Sequence, residues 1–463
     1  MRLFQTVTVL GLLSGVSAQF VEHNFLDPAN WPIGPGAPLV PQQPDHELTE
    51  MMKQVDPKRI QAIIEKLVSF GTRNTMSNKT DPDRGIGAAR DWIAAQMQTF
   101  AATSGGRMTV AVPGYLQTTT GSIIIDTMIS NVVATLVGST DPKRVYVVGG
   151  HYDSRNTNNS DFTNDAPGAD DDASGVAVTM ELARIMATHR PAATLMFAAY
   201  AGEEQGLFGS AFMASTLKSE GADVQGMLNN DIVGSSTADD NTTDPFNIRM
   251  FTEGVPITET LSEIDSRIDI GAENDSPITQ LGRFVVEVSS NAVTQMNVQM
   301  VYRPDRFLRG GDHESFIANG YPAVRFTEPH ENFAHQHQDV RFEDGLQFGD
   351  LTEYCDFEFN ARVARVNGVA LWSLAQAPGT PKGLTMDTSV LTNNSTLKWT
   401  HDPLAARYEV LWRPSQEPFW THVIEVGNVS SATILLSKDN AQFGVRAVGA
   451  NGFKSPAAFP FSD

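Results

Sequence analysis

The stretch Val145-Tyr146-Val147-Val148-Gly149-Gly150-His151-Tyr152-Asp153-Ser154 decides the architecture. Residues 145–148 are a short, largely β-branched run that reads as a buried strand. Instead of running into a turn, the strand stops at two glycines and a histidine. Strands and helices then alternate. Residues 173–189 read as a helix, 194–200 as a buried strand, 209–217 as a helix and 227–230 as a strand. Further strands are expected near 298–302 and 323–326, and a closing helix over about 354–375. This order predicts an α/β fold with a mostly parallel central sheet flanked by helices. Upstream, Asp56 caps a helix with Pro57 at its first position and Ile60, Ile63, Ile64 and Leu67 on one face. A second helix is expected over about 86–100, and short strands at 123–125 and 131–137.

The ends of the chain read differently. Arg2 precedes an apolar run over 3–16 and the small residues Val16-Ser17-Ala18, so residues 1–18 read as a secretory signal peptide and the protein as extracellular. Residues 19–45 are rich in Pro and Asn and lack any apolar period; they read as an irregular arm, which could be a propeptide. Gln376-Ala377-Pro378-Gly379-Thr380-Pro381 punctuates the end of the α/β region. Beyond it, over 378–463, alternation in Leu397-Lys398-Trp399, Tyr408-Glu409-Val410-Leu411-Trp412 and Phe443-Gly444-Val445-Arg446-Ala447 predicts a small all-β sandwich.

At 463 residues, 41% hydrophobic and 19% charged, the chain has the composition of an ordinary globular protein, which excludes a disordered, collagen-like or coiled-coil chain. A net charge of −21, one unit more negative once Arg2 is removed, disfavours nucleic acid and anionic membranes as partners. No stretch after the leader suggests a membrane span. The single cysteine, Cys355, excludes an intrachain disulfide and reads as a small buried hydrophobe. Asn-x-Ser/Thr acceptors begin at Asn78, Asn158, Asn241, Asn274, Asn393, Asn394 and Asn428, in keeping with a secreted glycoprotein.

Polar residues collect where strands end: His151 and Asp153, Asp171 within Asp170-Asp171-Asp172, Glu203-Glu204, and Asp231 after Asn229-Asn230. Ligands of open α/β sheets bind beyond the carboxyl ends of the strands. Several carboxylates in one crevice repel one another unless they are protonated or share a cation. Histidine among them favours zinc over calcium. Taken singly, each motif has a bland meaning: Glu203-Glu204 a solvated helix start, Asp170 to Asp172 a helix cap, His151 a buried histidine bonded to backbone.

Taken together, residues 149–154, 166–175 and 199–210, with Asp231, Gly311-Asp312-His313 and His335 behind them, closely resemble the co-catalytic two-zinc exopeptidases of the leucyl aminopeptidase and aminopeptidase Y type. The resemblance spans roughly residues 50–375, so 46–375 is expected to be a zinc peptidase domain. It implies two zinc ions per chain, with Asp171 bridging them. Glu204 and His335 would complete one site, and His151 and Asp231 the other. Glu203 is left as general base, and Asp153 as acceptor for the second nitrogen of His151. The Asp171–Asp172 peptide is often cis in that family. His335 is preferred over His337 because Asp339 follows it at the family's four-residue spacing. The substrate is expected to be a peptide or protein, the activity that of an aminopeptidase, and the chain a monomer. The C-terminal region resembles a fibronectin type III module, with Phe443 where such modules carry a corner tyrosine.

Three other readings stand beside this one. A carboxypeptidase on the same metal core would need a cation for the substrate carboxylate, and Arg303, Arg306 and Arg309 are near at hand. A non-catalytic binding or adhesion protein would leave the ligand set without purpose. A glutaminyl-cyclase-like transferase is weaker still. Ile232, Leu308 and Phe316 are expected to supply apolar lining to the pocket.

Overall fold

The computed structural model describes residues 31–462, so the expected signal peptide lies outside the described residues. A two-residue strand β1 (Ala37–Pro38) is followed by helices α1 (His46–Met52), α2 (Pro57–Val68) and α3 (Ile86–Thr103). Asp56 caps α2 by accepting from the amide of Lys58, and Ile60, Ile63, Ile64 and Leu67 are buried, as their spacing predicts. Strands β2 (Met108–Ala111), β3 (Gly114–Gln117), β4 (Thr127–Ser130), β5 (Val132–Leu136) and β6 (Asp141–His151) lead into α4 (Ala173–Met186), β7 (Ala193–Tyr200), α5 (Phe208–Ser219) and β8 (Asp223–Asn230). Then come β9 (Asn247–Phe251), α6 (Leu261–Asp269), α7 (Pro277–Ser289), β10 (Asn297–Val301), α8 (Asp312–Ala318), β11 (Ala323–Thr327), the hairpin β12 (Arg341–Glu343) and β13 (Leu346–Phe348), and α9 (Phe357–Gln376).

Eight strands form the central sheet in the order β10-β9-β11-β8-β6-β7-β5-β2. β11, β8, β6 and β7 run parallel to their neighbours in that series, while β9 meets β11, and β5 meets β7 and β2, in antiparallel fashion. The fold is therefore α/β with a mixed, mostly parallel sheet. The parallel strands at its centre are buried on both faces, which explains why Val145 to Val148 and Thr194 to Tyr200 read as continuous apolar runs. One expected strand is absent: residues 121–122 form a turn closed by a Thr120–Ile123 bridge, Ile124 and Ile125 are exposed, and the strand begins at Thr127.

The C-terminal region comprises β14 (Thr385–Met386), β15 (Ser395–Lys398), β16 (Arg407–Pro414), β17 (His422–Gly427), β18 (Ser431–Ile434), β19 (Ala441–Val448) and β20 (Phe461–Ser462). They form two four-stranded sheets, β1-β17-β16-β19 and β18-β15-β14-β20, around Leu397, Trp399, Tyr408, Val410, Phe443 and Val445. Phe443 is core, and it is the hydroxyl of Tyr408 that accepts a backbone hydrogen bond, from Asp402 at 2.6 Å. The N-terminal arm is less irregular than its composition suggests. β1 pairs with β17, Trp412 Nε1 donates to Pro35 O at 2.9 Å, and Leu39 packs with Leu411, Trp420 and Phe459.

The sandwich is fastened to α7. Arg446 is buried between Glu287 at 2.9 Å and Glu409 at 2.6 Å, Arg413 meets Asp275 at 2.6 Å, and Trp420 Nε1 donates to Gln280 at 3.1 Å.

Candidate metal centre

All the proposed site residues but His335 converge beyond the carboxyl ends of β6, β7 and β8. His151 ends β6. A Cβ at position 150 would lie 2.5 Å from Asp172 Oδ2, so only glycine lets that carboxylate approach and accept the amide of His151 at 2.9 Å. Asp172 also caps α4 through Gly175 N at 2.9 Å, which fixes the start of the helix and the residue before it, Asp171. The Asp171–Asp172 peptide is cis. Asp350 holds this segment from the other side, its two oxygens accepting the amides of Asp170 and Asp171 at 2.8 Å each. Arg73, wholly buried, donates to the carbonyls of Tyr152 and Gly168, each at 2.7 Å.

Asp171 presents one oxygen to each imidazole. His151 Nε2 lies 3.1 Å from Oδ1, and His337 Nε2 lies 2.8 Å from Oδ2. Glu204 approaches His337 at 3.2 Å, while Asp231 and Glu203 lie 3.9 and 4.0 Å from His151 Nε2. Two groups of donors result: His151, Glu203 and Asp231 on one side, and Asp171, Glu204 and His337 on the other. Asp153 organises the region between them. Its carboxylate accepts the amides of Glu203 at 3.2 Å and Glu204 at 3.1 Å and the hydroxyl of Thr75 at 3.1 Å. Its backbone carbonyl is 3.1 Å from His151 Nδ1, with its carboxylate at 3.6 Å. Asp153, the expected acceptor, faces His151 Nδ1 first through its main-chain carbonyl.

His335, singled out by its spacing to Asp339, is not in the cluster; His337 takes that place. An extended segment would put the rings of residues 335 and 337 on the same side. They instead form a turn in which His337 has φ = 53°, in the left-handed region, so the two rings diverge. The His335 ring stacks on Tyr354, centroids 3.7 Å apart and planes 10° apart, away from Asp171 and Glu204. Asp339 makes its contacts with Thr157. The spacing to Asp339 singles out His335, whereas the turn brings His337 to Asp171 and Glu204.

The electrostatics are those of a site short of positive charge. Burial pushes the carboxyls of Glu203, Glu204 and Asp231 up, Glu203 most strongly. Burial opposes protonation of both histidines, yet Glu203, Asp153 and Asp171 outweigh it at His151, and Glu204 and Asp171 raise His337 to about 10. The Nε2 of His151 and Oε1 of Glu204 are shielded from solvent and have no hydrogen-bond partner among the described residues. Buried polar atoms are rarely left so, and two imidazoles with carboxylates placed between them make a donor set suited to zinc. The residues therefore fit a pair of metal ions.

Sequence reasoning missed Arg325. It lies in β11, wholly buried, and donates to Asp231 at 2.7 Å and Asp305 at 2.8 Å. A lone arginine in the apolar run Ala323-Val324-Arg325-Phe326 was the available signal. Ile232 and Leu308 line the cleft over the cluster, about 360 Å³ in volume, whereas Phe316 is in the core, edge-on to Tyr200.

Comparison with known proteins agrees. Residues 131–343 match the model of peptidase family M28. A protein of Pyricularia oryzae described as a probable zinc metalloprotease is 56% identical over 94% of this chain and 88% of its own length. One of Leptosphaeria maculans, described in the same words, is 54% identical over 92% and 99%. The chain belongs to peptidase family M28. Among solved structures, LapA aminopeptidase of Legionella pneumophila superposes with a TM-score of 0.50 at 17% identity, covering 72% of this chain and 76% of LapA. LapB of the same organism gives 0.50 at 19%, covering 73% and 78%. At such identities the likeness is one of fold.

Proposed function

We propose that the protein is a secreted zinc aminopeptidase using two metal ions. The observation that carries this reading is Asp171, whose two oxygens face His151 on one side and His337 on the other. His151 and Asp231 would hold one zinc, Glu204 and His337 the other, with Asp171 shared. When bound, zinc supplies Lewis acidity to the scissile carbonyl and acidifies the attacking water. Glu203 is the general base. Burial makes its carboxylate a better proton acceptor, and beside the cluster it is placed to take a proton from the water and hand it to the leaving amine. Asp153 keeps Glu203 and Glu204 in place through their amides.

LapA, described as an aminopeptidase, shares the fold and supports that choice of activity. Among the described residues no helix is long and apolar enough to cross a membrane. Asn78, Asn158, Asn241, Asn274, Asn393 and Asn428 are exposed, in keeping with glycosylation during secretion. The two facing sheets and the Tyr408 hydroxyl bond support a fibronectin-like reading of the C-terminal module. The test is cleavage of one peptide with its N-terminus free or acetylated, alongside metal analysis. Near two zincs per chain and loss of cleavage on acetylation are expected. Undiminished cleavage of the acetylated peptide overturns the aminopeptidase assignment.

A further inference from the structure

The cleft over the metal centre is lined by four carboxylates, Asp171, Glu203, Glu204 and Asp231, and by four guanidiniums, Arg155, Arg306, Arg309 and Arg325. The arginines are not equivalent. Arg325 is spent on Asp231 and Asp305, and Arg306 on Asp305 at 3.2 Å and Glu331 at 2.8 Å. Arg303, considered at first with them, lies 3.7 Å over the ring of Phe307. Arg155 donates only to carbonyls of its own loop, Asn156 O and Thr157 O, each at 3.1 Å. Among the described residues neither Arg155 nor Arg309 meets a carboxylate, although both are half-buried and both line the cleft.

In a chain of net charge −21 this even balance of signs is a local departure. Partners for guanidinium are abundant elsewhere, as at Arg144, Arg267, Arg283, Arg413 and Arg446, each of which closes on an acid. Two zinc ions would also balance the four carboxylates of the lining, leaving Arg155 and Arg309, which meet no carboxylate among the described residues, as net positive charge facing substrate. Half-buried guanidinium without a carboxylate partner is the group best suited to take up a carboxylate in two parallel hydrogen bonds.

We infer that Arg309 and Arg155 make the cleft selective for peptides bearing a carboxylate next to the scissile bond. The carboxylate is either an acidic side chain on one of the two flanking residues or the C-terminus of a short peptide. The inference rests on the aminopeptidase reading and names the substrate class of that site.

Three matched pairs of N-terminally free peptides test it: Glu against Gln as the released residue, Glu against Gln as the residue after it, and a free against an amidated C-terminus on a tripeptide. In at least one pair the acidic member should have a kcat/KM about tenfold higher at low salt, an advantage that shrinks as ionic strength rises. The pair that responds identifies the source of the carboxylate. Arg309→Gln and Arg155→Gln should lower the acid-to-neutral ratio, Arg309→Lys should keep most of it, and Arg309→Glu should invert it. Calorimetry with the same pairs on the zinc-loaded Glu203→Gln protein reads binding without turnover and should give the same order. Ratios near one in all three pairs overturn the inference, as does a preference that both Arg→Gln variants leave intact. Cleavage of neutral peptides without acid preference overturns it and leaves the aminopeptidase standing. Failure to cleave any N-terminally free peptide overturns the aminopeptidase, and calorimetry then decides on the carboxylate alone.

Discussion

Two clusters of buried charge in this molecule are finished in opposite ways. Along the seam between α7 and the sandwich, Arg446, Arg413 and Arg283 each close on a carboxylate, Glu287 and Glu409 for the first and Asp275 for the other two. Beyond β6, β7 and β8, by contrast, carboxylates crowd one another, His151 Nε2 and Glu204 Oε1 have no hydrogen-bond partner among the described residues, and supporting groups hold the arrangement open. Buried charge costs several kcal/mol per ion unless it is compensated. The seam is compensated from within the chain and serves as glue. At the strand ends His151, His337 and Arg325 offset only part of the carboxylate charge, and the donor set is one that a cation fits.

The sharpest way to break that contrast is at His337. His337→Ala should remove one metal and nearly all activity, exceeding the roughly 10–100-fold loss that follows removal of a supporting group. Zinc content after dialysis and hydrolysis of a chromogenic amide measure it, and a chelator should reproduce the loss. Glu203→Gln comes next: kcat should fall by about 10²–10⁴-fold with zinc content nearly unchanged. Loss of metal together with activity would make Glu203 a ligand. At the seam, Arg446→Met strands Glu287 and leaves Glu409 with Lys454 at 3.4 Å; it should destabilise the protein by about 3–5 kcal/mol, read by denaturant unfolding, while zinc stays bound. If the loss is small, the seam is not glued by charge.

His313 gives a smaller effect with a defined sign. It is buried beside Asp305 and Arg325, and burial, only partly offset by Asp305, lowers its pKa to about 4. An unfolded histidine titrates near 6.5, so between about pH 6.5 and 4 the unfolded chain takes up a proton that the folded chain refuses. The contribution is intact above that window and is lost as pH falls through it, worth up to about 3 kcal/mol. His313→Gln should flatten the acid limb of a Tm-against-pH curve. The smallest effect is expected at His335: His335→Ala should keep both metals and cost about 0.5–1.5 kcal/mol from the lost stack on Tyr354.

What the sequence made legible followed from where strands stop. His151, Asp171, Glu203, Glu204 and Asp231 could be grouped because each follows an apolar run or opens a helix, and the fold brings such ends to one edge. The two histidines at 335 and 337 lie in a segment with no regular period. Their sidedness depends on one left-handed residue, which composition does not reveal. Helix α1 escaped for a related reason: it is seven residues long, and its signal, Asp45 capping Leu48, is a single hydrogen bond. Arg325 and Asp350 escaped because their partners, Asp231 and the amides of Asp170 and Asp171, are distant in sequence.

The arm that lies along β17 imposes an order in time. Pro35 and Trp412, joined by a hydrogen bond, are 377 residues apart. At a synthesis rate of about 5–20 residues per second the arm emerges about 20–75 s before its partner exists. The peptidase core can close around β6, β7 and β8 in that interval, because its strands are made before the sandwich. The first described residues of the chain are then among the last to find their place, and the seam to α7 is sealed only when the final strands arrive.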